Sequence, residues 1–191
     1  MANVPVQRMG PAEYLAWERE QDVRHEYVHG EVFAMAGGSP RHAALIAAVT
    51  IELGVAHRGG PCRVLATDQR ILAEDGEHYV YADVSVVCGS ILLARGTNDV
   101  LTNPAVVVEV LSKGTEVYDR GKKWDGYQKI ASVTDYLLVS QSEPHIEHYQ
   151  RREGDEWHYR LIGAGGRVSL KSGATFDVDT VYAGTFELMG D

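Results

Sequence analysis

Ala105-Val106-Val107-Val108-Glu109-Val110-Leu111-Ser112 is the stretch on which the reading of the chain turns. It is short, apolar and β-branched, the pattern of a strand buried on both faces of a sheet. Glu109 shares one face with Val107 and Leu111, and the other face holds Val106, Val108 and Val110. Neither face is polar, so no shift of register moves Glu109 into water. A carboxylate in such a place is costly unless a cation or hydrogen bonds compensate it. The compensating group is a Lys, an Arg or a metal ion. A structural pair with Arg63, Arg70 or Lys123 is the plainer alternative to a functional acid.

Before this strand, Gly10-Pro11 opens a helix to about Gln21, with proline in its first turn. Val23 to Val28 and Glu31 to Ala36 read as two strands of a hairpin joined at His29-Gly30. Ser39 caps a second helix that starts at Pro40, runs to about Arg58 and stops at Gly59-Gly60. Leu45, Ile46, Val49 and Leu53 form its apolar face. Cys62 to Ala73 and Tyr79 to Cys88 read as strands around a turn at Asp75-Gly76, and Gly89 to Pro104 as irregular. After the Glu109 strand come a helix from about Val117 to Ala131 and strands at Tyr136 to Gln141, Ile146 to Arg151 and Trp157 to Ile162. Val178 to Tyr182 reads as a last helical turn. This order predicts an α/β (α+β) architecture with one mixed sheet, in a single domain over residues 1–191.

The composition is that of a globular domain: 191 residues, 45% hydrophobic and 24% charged, enough for a sizeable core. No apolar run reaches bilayer-spanning length, and Met1 to Gly10 holds no signal-like stretch, so a cytoplasmic protein without a membrane partner is expected. A net charge of −9 argues against broad attraction to nucleic acid but leaves room for a local basic cleft. It suits a protein that gathers carboxylates around divalent cations. Cys62 and Cys88 read as small buried hydrophobes, and the eight histidines show no zinc spacing.

Asp83 lies in the segment Tyr79 to Val87, where aspartate is disfavoured within a strand. It reads either as a strand-edge residue bonded to backbone or to an Arg, or as a partner of Glu109. Lys123 falls on the side of its helix marked by Trp124, Tyr127 and Ile130, and Lys122 nearly opposite. A lysine stem covering core with its ammonium in water is the alternative there. Taken together, two carboxylates on neighbouring strands can hold a hard divalent cation, and a lysine beside them can orient a water and stabilise developing charge. A metal so held lowers the pKa of its water, the route to phosphodiester hydrolysis without a covalent intermediate. Glu26, beside the hairpin turn, and His42, in the first turn of the second helix, are weaker candidates. Asp68-Gln69-Arg70 is a polar break that lines a cleft or ends a sheet.

Several stretches together resemble the Uma-type putative restriction endonucleases of bacteria, within the PD-(D/E)XK nuclease superfamily. They are His25 to Glu31, Met35 to His42, Tyr81 to Val84, Val107 to Ser112, Asp119 to Lys123 with Tyr127, and Asp135 to Val139. The resemblance spans about Glu13 to Tyr149 and implies a restriction-endonuclease-like core, a mixed sheet flanked by helices. It implies Asp83 and Glu109 as metal carboxylates for Mg²⁺ or Mn²⁺, DNA as substrate and a homodimer as the working form. The superfamily's lysine two residues after the glutamate is Leu111 here, and Lys123 is the matching position on the next helix. Glu26 and His42 match further recurrent positions. Ala82 replaces a proline, and Lys113-Gly114 departs from the family's Ser-Pro-Ser-Thr stretch. A catalytically silent protein that binds nucleic acid or a protein partner is the rival reading, and a hydrolase of smaller phosphate esters a third. Lys123, rather than Lys122 or Lys113, is expected to be the catalytic lysine.

Overall fold

The computed structural model describes residues 5–35, 37–74 and 76–187. Ala36, expected to end a strand, and Asp75, expected in a turn, lie outside the described residues. In chain order the elements begin with β1 (Gln7–Arg8), α1 (Pro11–Glu18), β2 (His25–Val28), β3 (Glu31–Ala34) and α2 (Pro40–Ala56). Next come β4 (Cys62–Ala66), β5 (Arg70–Glu74), β6 (His78–Tyr81), β7 (Val84–Cys88), β8 (Val100–Leu101) and β9 (Val106–Val110). A helical stretch follows in three pieces: α3 (Glu116–Tyr118), a π-helical segment Asp119–Lys123, and α4 (Trp124–Tyr127). The chain continues through β10 (Asp135–Val139), β11 (His145–Arg151), β12 (Trp157–Gly163), β13 (Arg167–Ser169), β14 (Thr175–Asp177) and α5 (Val178–Tyr182).

The strands form two six-stranded mixed sheets and a separate hairpin, where a single sheet was expected. The first sheet has the order β1-β3-β2-β6-β5-β8, the second β12-β11-β10-β9-β7-β4, and β13 pairs with β14. The segment Tyr79 to Cys88 is therefore two strands. It leaves the first sheet after Tyr81, crosses at Ala82-Asp83, and enters the second at Val84. The polar break Asp68-Gln69-Arg70 is the matching crossing between β4 and β5. The alternation of apolar residues runs straight through Asp83, and the one sign of the change of sheet is the aspartate itself, disfavoured within a strand.

β9 lies inside the second sheet, parallel to β10 and antiparallel to β7, and all five of its residues are buried. Its even-numbered residues Val106, Val108 and Val110 pack with Leu45, Val49 and Leu53 of α2 and with Val178 and Val181 of α5. Its other face, with Val107, packs with Ile71 and Val80 of the first sheet and with Tyr127 and Ile130. Burying a valine side chain stabilises by about 1.5 kcal/mol or more, so this strand can carry one desolvated carboxylate at a cost of several kcal/mol.

The local turns follow their residue types. His29 (φ 47°) and Gly30 (φ 87°) are both left-handed, as a two-residue hairpin loop requires, and they register Val28 against Glu31. The Ser39 hydroxyl accepts the His42 N–H at the start of α2, with Pro40 in the first turn. Cys62 and Cys88 are partners in the β4–β7 register and are joined by a disulfide, which corrects their reading as unpaired hydrophobes. The 26-residue separation hid a direct cross-strand neighbour. No helix among the described residues is long and apolar enough to cross a membrane.

Candidate active site

Tyr81, the last residue of β6, gathers the polar groups where the two sheets meet. Its N–H donates to Glu26 Oε1 at 3.1 Å, and its carbonyl accepts from Lys123 Nζ at 3.0 Å. Its hydroxyl donates to Glu18 at 3.1 Å and accepts from Arg70. Burial pushes that hydroxyl up to about 12. Glu26 reaches the cluster because β2 pairs with β6, with Tyr27 opposite Tyr79.

Lys123 is buried and Lys122 is exposed. The Lys123 ammonium lies 3.0 Å from Glu109 Oε1, 3.1 Å from Glu26 Oε1 and 3.7 Å from Asp119 Oδ1. Three carboxylates hold it charged against the burial that opposes the charge. Its partners differ from the expected pair, since Glu26 and Asp119 stand beside Glu109 in place of Asp83. The lysine sits at the end of the π-helical segment, an irregularity often found at functional positions.

Glu109 Oε1 also accepts the Tyr127 hydroxyl at 2.8 Å. Burial pushes the Glu109 carboxyl well above the ordinary carboxylate range, Lys123 opposes this, and Asp119, Asp83 and Glu26 add to it. Tyr127 read in the sequence as core and as part of the family resemblance, with no role assigned to its hydroxyl. A buried tyrosine hydroxyl needs a polar partner, and that rule was the available signal.

Asp83 sits at the crossing between sheets. Its Oδ2 accepts the Val110 N–H at 2.7 Å, which binds it to the residue after Glu109. Its Oδ1 lies 3.5 Å from His42 Nε2, and both side chains are partly accessible. His42 is held from behind by Gln141, whose amide also donates to the Leu111 carbonyl at 2.6 Å. Lys123, Glu109 and Glu26 are thus in direct contact, and Asp83 and His42 form an adjoining pair on the accessible side.

Glu26, Glu109 and Asp119 converge on one buried ammonium, and Asp83 adds a fourth carboxylate near Glu109. A donor set of carboxylate oxygens with negative charge in excess suits a hard divalent cation. Asp83 and Glu109 could hold one, since Asp83 is anchored to the Glu109 strand through Oδ2 and its side chain is partly accessible.

Two mixed sheets flanked by helices, with carboxylates and a lysine at their junction, form a restriction-endonuclease-like fold. The crystal structure of a putative nuclease belonging to DUF820 from Anabaena variabilis ATCC 29413 shares it, with a TM-score of 0.76 and 16% identity over 93% of this chain and 99% of that one. Residues 11–180 match the model of the Uma2 family, described as putative restriction endonucleases, and the chain belongs to that family. Uncharacterized protein slr1290 of Synechocystis sp. (strain ATCC 27184 / PCC 6803 / Kazusa) is 36% identical over 183 residues, 95% of each chain. Uncharacterized protein sll1609 of the same organism is 29% identical over 160 residues, 83% of this chain and 90% of its own.

Proposed function

We propose that the protein is a Mg²⁺-dependent DNA endonuclease, with Mn²⁺ as an alternative ion, that hydrolyses phosphodiester bonds by attack of water. The observation that carries this reading is the surplus of carboxylates around Lys123, in a chain of this family. Asp83 and Glu109 would hold the ion. When bound, it supplies a water of lowered pKa and compensates charge on the scissile phosphate. Lys123 offers the positive group beside them, and Glu26 and Asp119 keep its ammonium in position. Tyr127 orients the Glu109 carboxylate through its hydroxyl. His42, beside Asp83 and partly accessible, is suited to carry a proton to solvent. DNA is the substrate the family implies, a cytoplasmic homodimer would suit cutting of both strands, and both of these rest on analogy.

A second reading has its own support. The Lys123 ammonium has four oxygen neighbours already, and the net charge is −9, which fits a silent member that binds nucleic acid or a protein partner. Relaxation of supercoiled plasmid separates the two. With Mg²⁺ or Mn²⁺ the wild type is expected to nick and Asp83→Ala to be inactive. Nicking that persists in Asp83→Ala marks a contaminant, and no nicking by the wild type with either ion favours the silent reading.

A further inference from the structure

His57, at the C-terminal end of α2, stands over the Cys62–Cys88 pair. One ligand atom from each of the three residues lies within 4.8 Å of the others. His57 and Cys62 are buried and Cys88 is partly so. The histidine tautomer is fixed by its surroundings. Nδ1 lies 2.9 Å from the Leu53 carbonyl, which can only accept, so Nδ1 carries the proton. Nε2 is left with its lone pair, 2.9 Å from the Ser172 hydroxyl. A metal-binding imidazole has this arrangement, one nitrogen donating to a carbonyl and the other free to coordinate.

We propose that Cys62, Cys88 and His57 form a redox-gated site for a borderline-soft divalent ion such as Zn²⁺, distinct from the carboxylate cluster. A dithiol reductant supplies two electrons and two protons, the S–S bond breaks into two thiols, and the reductant leaves as its own disulfide. Binding of the ion then releases the two thiol protons to solvent. Zinc bonds of about 2.3 Å to sulfur and 2.0 Å to nitrogen place ligand atoms of a tetrahedron closer than 4.8 Å, so the imidazole has only a short way to move, and the two sulfurs separate once the bond between them is broken. The Ser172 hydroxyl or a water completes the set. Disulfide and metal are alternative clasps between the end of α2 and the β4–β7 edge. At about 1.5 Å per residue, His57 lies roughly 22 Å along the helix axis from His42, so the two sites can be tested apart.

Co²⁺ is the probe, added to the full chain reduced with a phosphine and to the same chain left oxidised. The reduced wild type is expected to show a thiolate-to-cobalt charge-transfer band at one ion per chain, which Zn²⁺ displaces. The oxidised protein, identical in sequence, should show no band. Cys62→Ser should lose it, His57→Gln should bind at least about tenfold more weakly, and Asp83→Ala should keep it. Absence of the band from the reduced wild type, or an equal band in Cys62→Ser, overturns the proposal. Full affinity in His57→Gln overturns the three-ligand assignment, and loss of the band in Asp83→Ala overturns the independence of this site from the carboxylate cluster.

Discussion

Lys123 bears more of the structure than a catalytic lysine alone would, because three carboxylates depend on it. Read from the sequence, Lys123 is expected to be the catalytic lysine, and a group with that role alone could be removed without harm to the fold. With Glu26, Glu109 and Asp119 left unpaired, removal of the ammonium is expected to cost about 3–5 kcal/mol as well. Lys123→Met keeps most of the volume, and it should abolish plasmid nicking and lower the denaturation midpoint. Lys122→Ala should stay within about 0.5 kcal/mol of wild type and keep activity. Equal losses in the two variants, read by denaturant melts and plasmid relaxation, would remove Lys123 from its assigned place. The inward turn of Lys123 was legible from Trp124, Tyr127 and Ile130. Its partnership with Glu26 was not, because β2 lies in the other sheet and no local spacing links residues 26 and 123. His78 provides the pH-dependent counterpart. Burial, with Lys123 and His29 adding to it, lowers its pKa from 6.5 to about 4. It is neutral when folded and takes up a proton on unfolding, so the unfolded chain binds more protons between these values. Its share of stability is whole above about pH 6.5 and is lost as pH falls toward 4, by about 3 kcal/mol at most. His78→Gln should lose less stability between pH 7 and 4.5 than wild type, and parallel melts for the two proteins would show this group to be uninvolved.

α4 packs on the first sheet through a glycine. A Cβ at Gly126 would lie 2.6 Å from His78 Nδ1 and 3.0 Å from the Ala73 Cβ. Both neighbours are buried, so the helix would have to lift from β5 and β6. Gly126→Ala is expected to destabilise by about 1–3 kcal/mol and to weaken nicking, because Lys123 and Tyr127 flank it on the same helical stretch. A neutral melt would show that the helix has room to move. Helix starts and strand identities were readable where capping and turn chemistry were strong, as at Ser39-Pro40 and His29-Gly30. The π-helical segment was not: Gly121 at its centre marks a weak point in the helix but does not say that the turn widens there. The same holds for Ala82-Asp83, where a continuous strand pattern conceals the crossing between sheets.

At the scale of the molecule, the two sheets meet along β6, the crossing at Asp83 and β9, and the polar groups lie at that junction. Apolar contacts on both faces of β9 fix the strand, and Lys123 and Tyr127 hold the Glu109 carboxylate that it carries. The resemblance found in the sequence named Asp83, Glu109 and Lys123 together, whereas the cysteine pairing escaped it because register between β4 and β7 cannot be read from spacing. The charge of the chain opposes DNA broadly, so a functional nuclease needs its ion both to neutralise the junction and to receive a phosphate. A ligand bound only by the folded state raises stability in proportion to its occupancy. The most direct measurement is the melting temperature of wild type, Asp83→Ala and Glu109→Gln with and without millimolar Mg²⁺ or Mn²⁺. The wild type should rise with either ion and both variants should not; equal shifts in all three, or none in the wild type, would contradict a cation shared by Asp83 and Glu109.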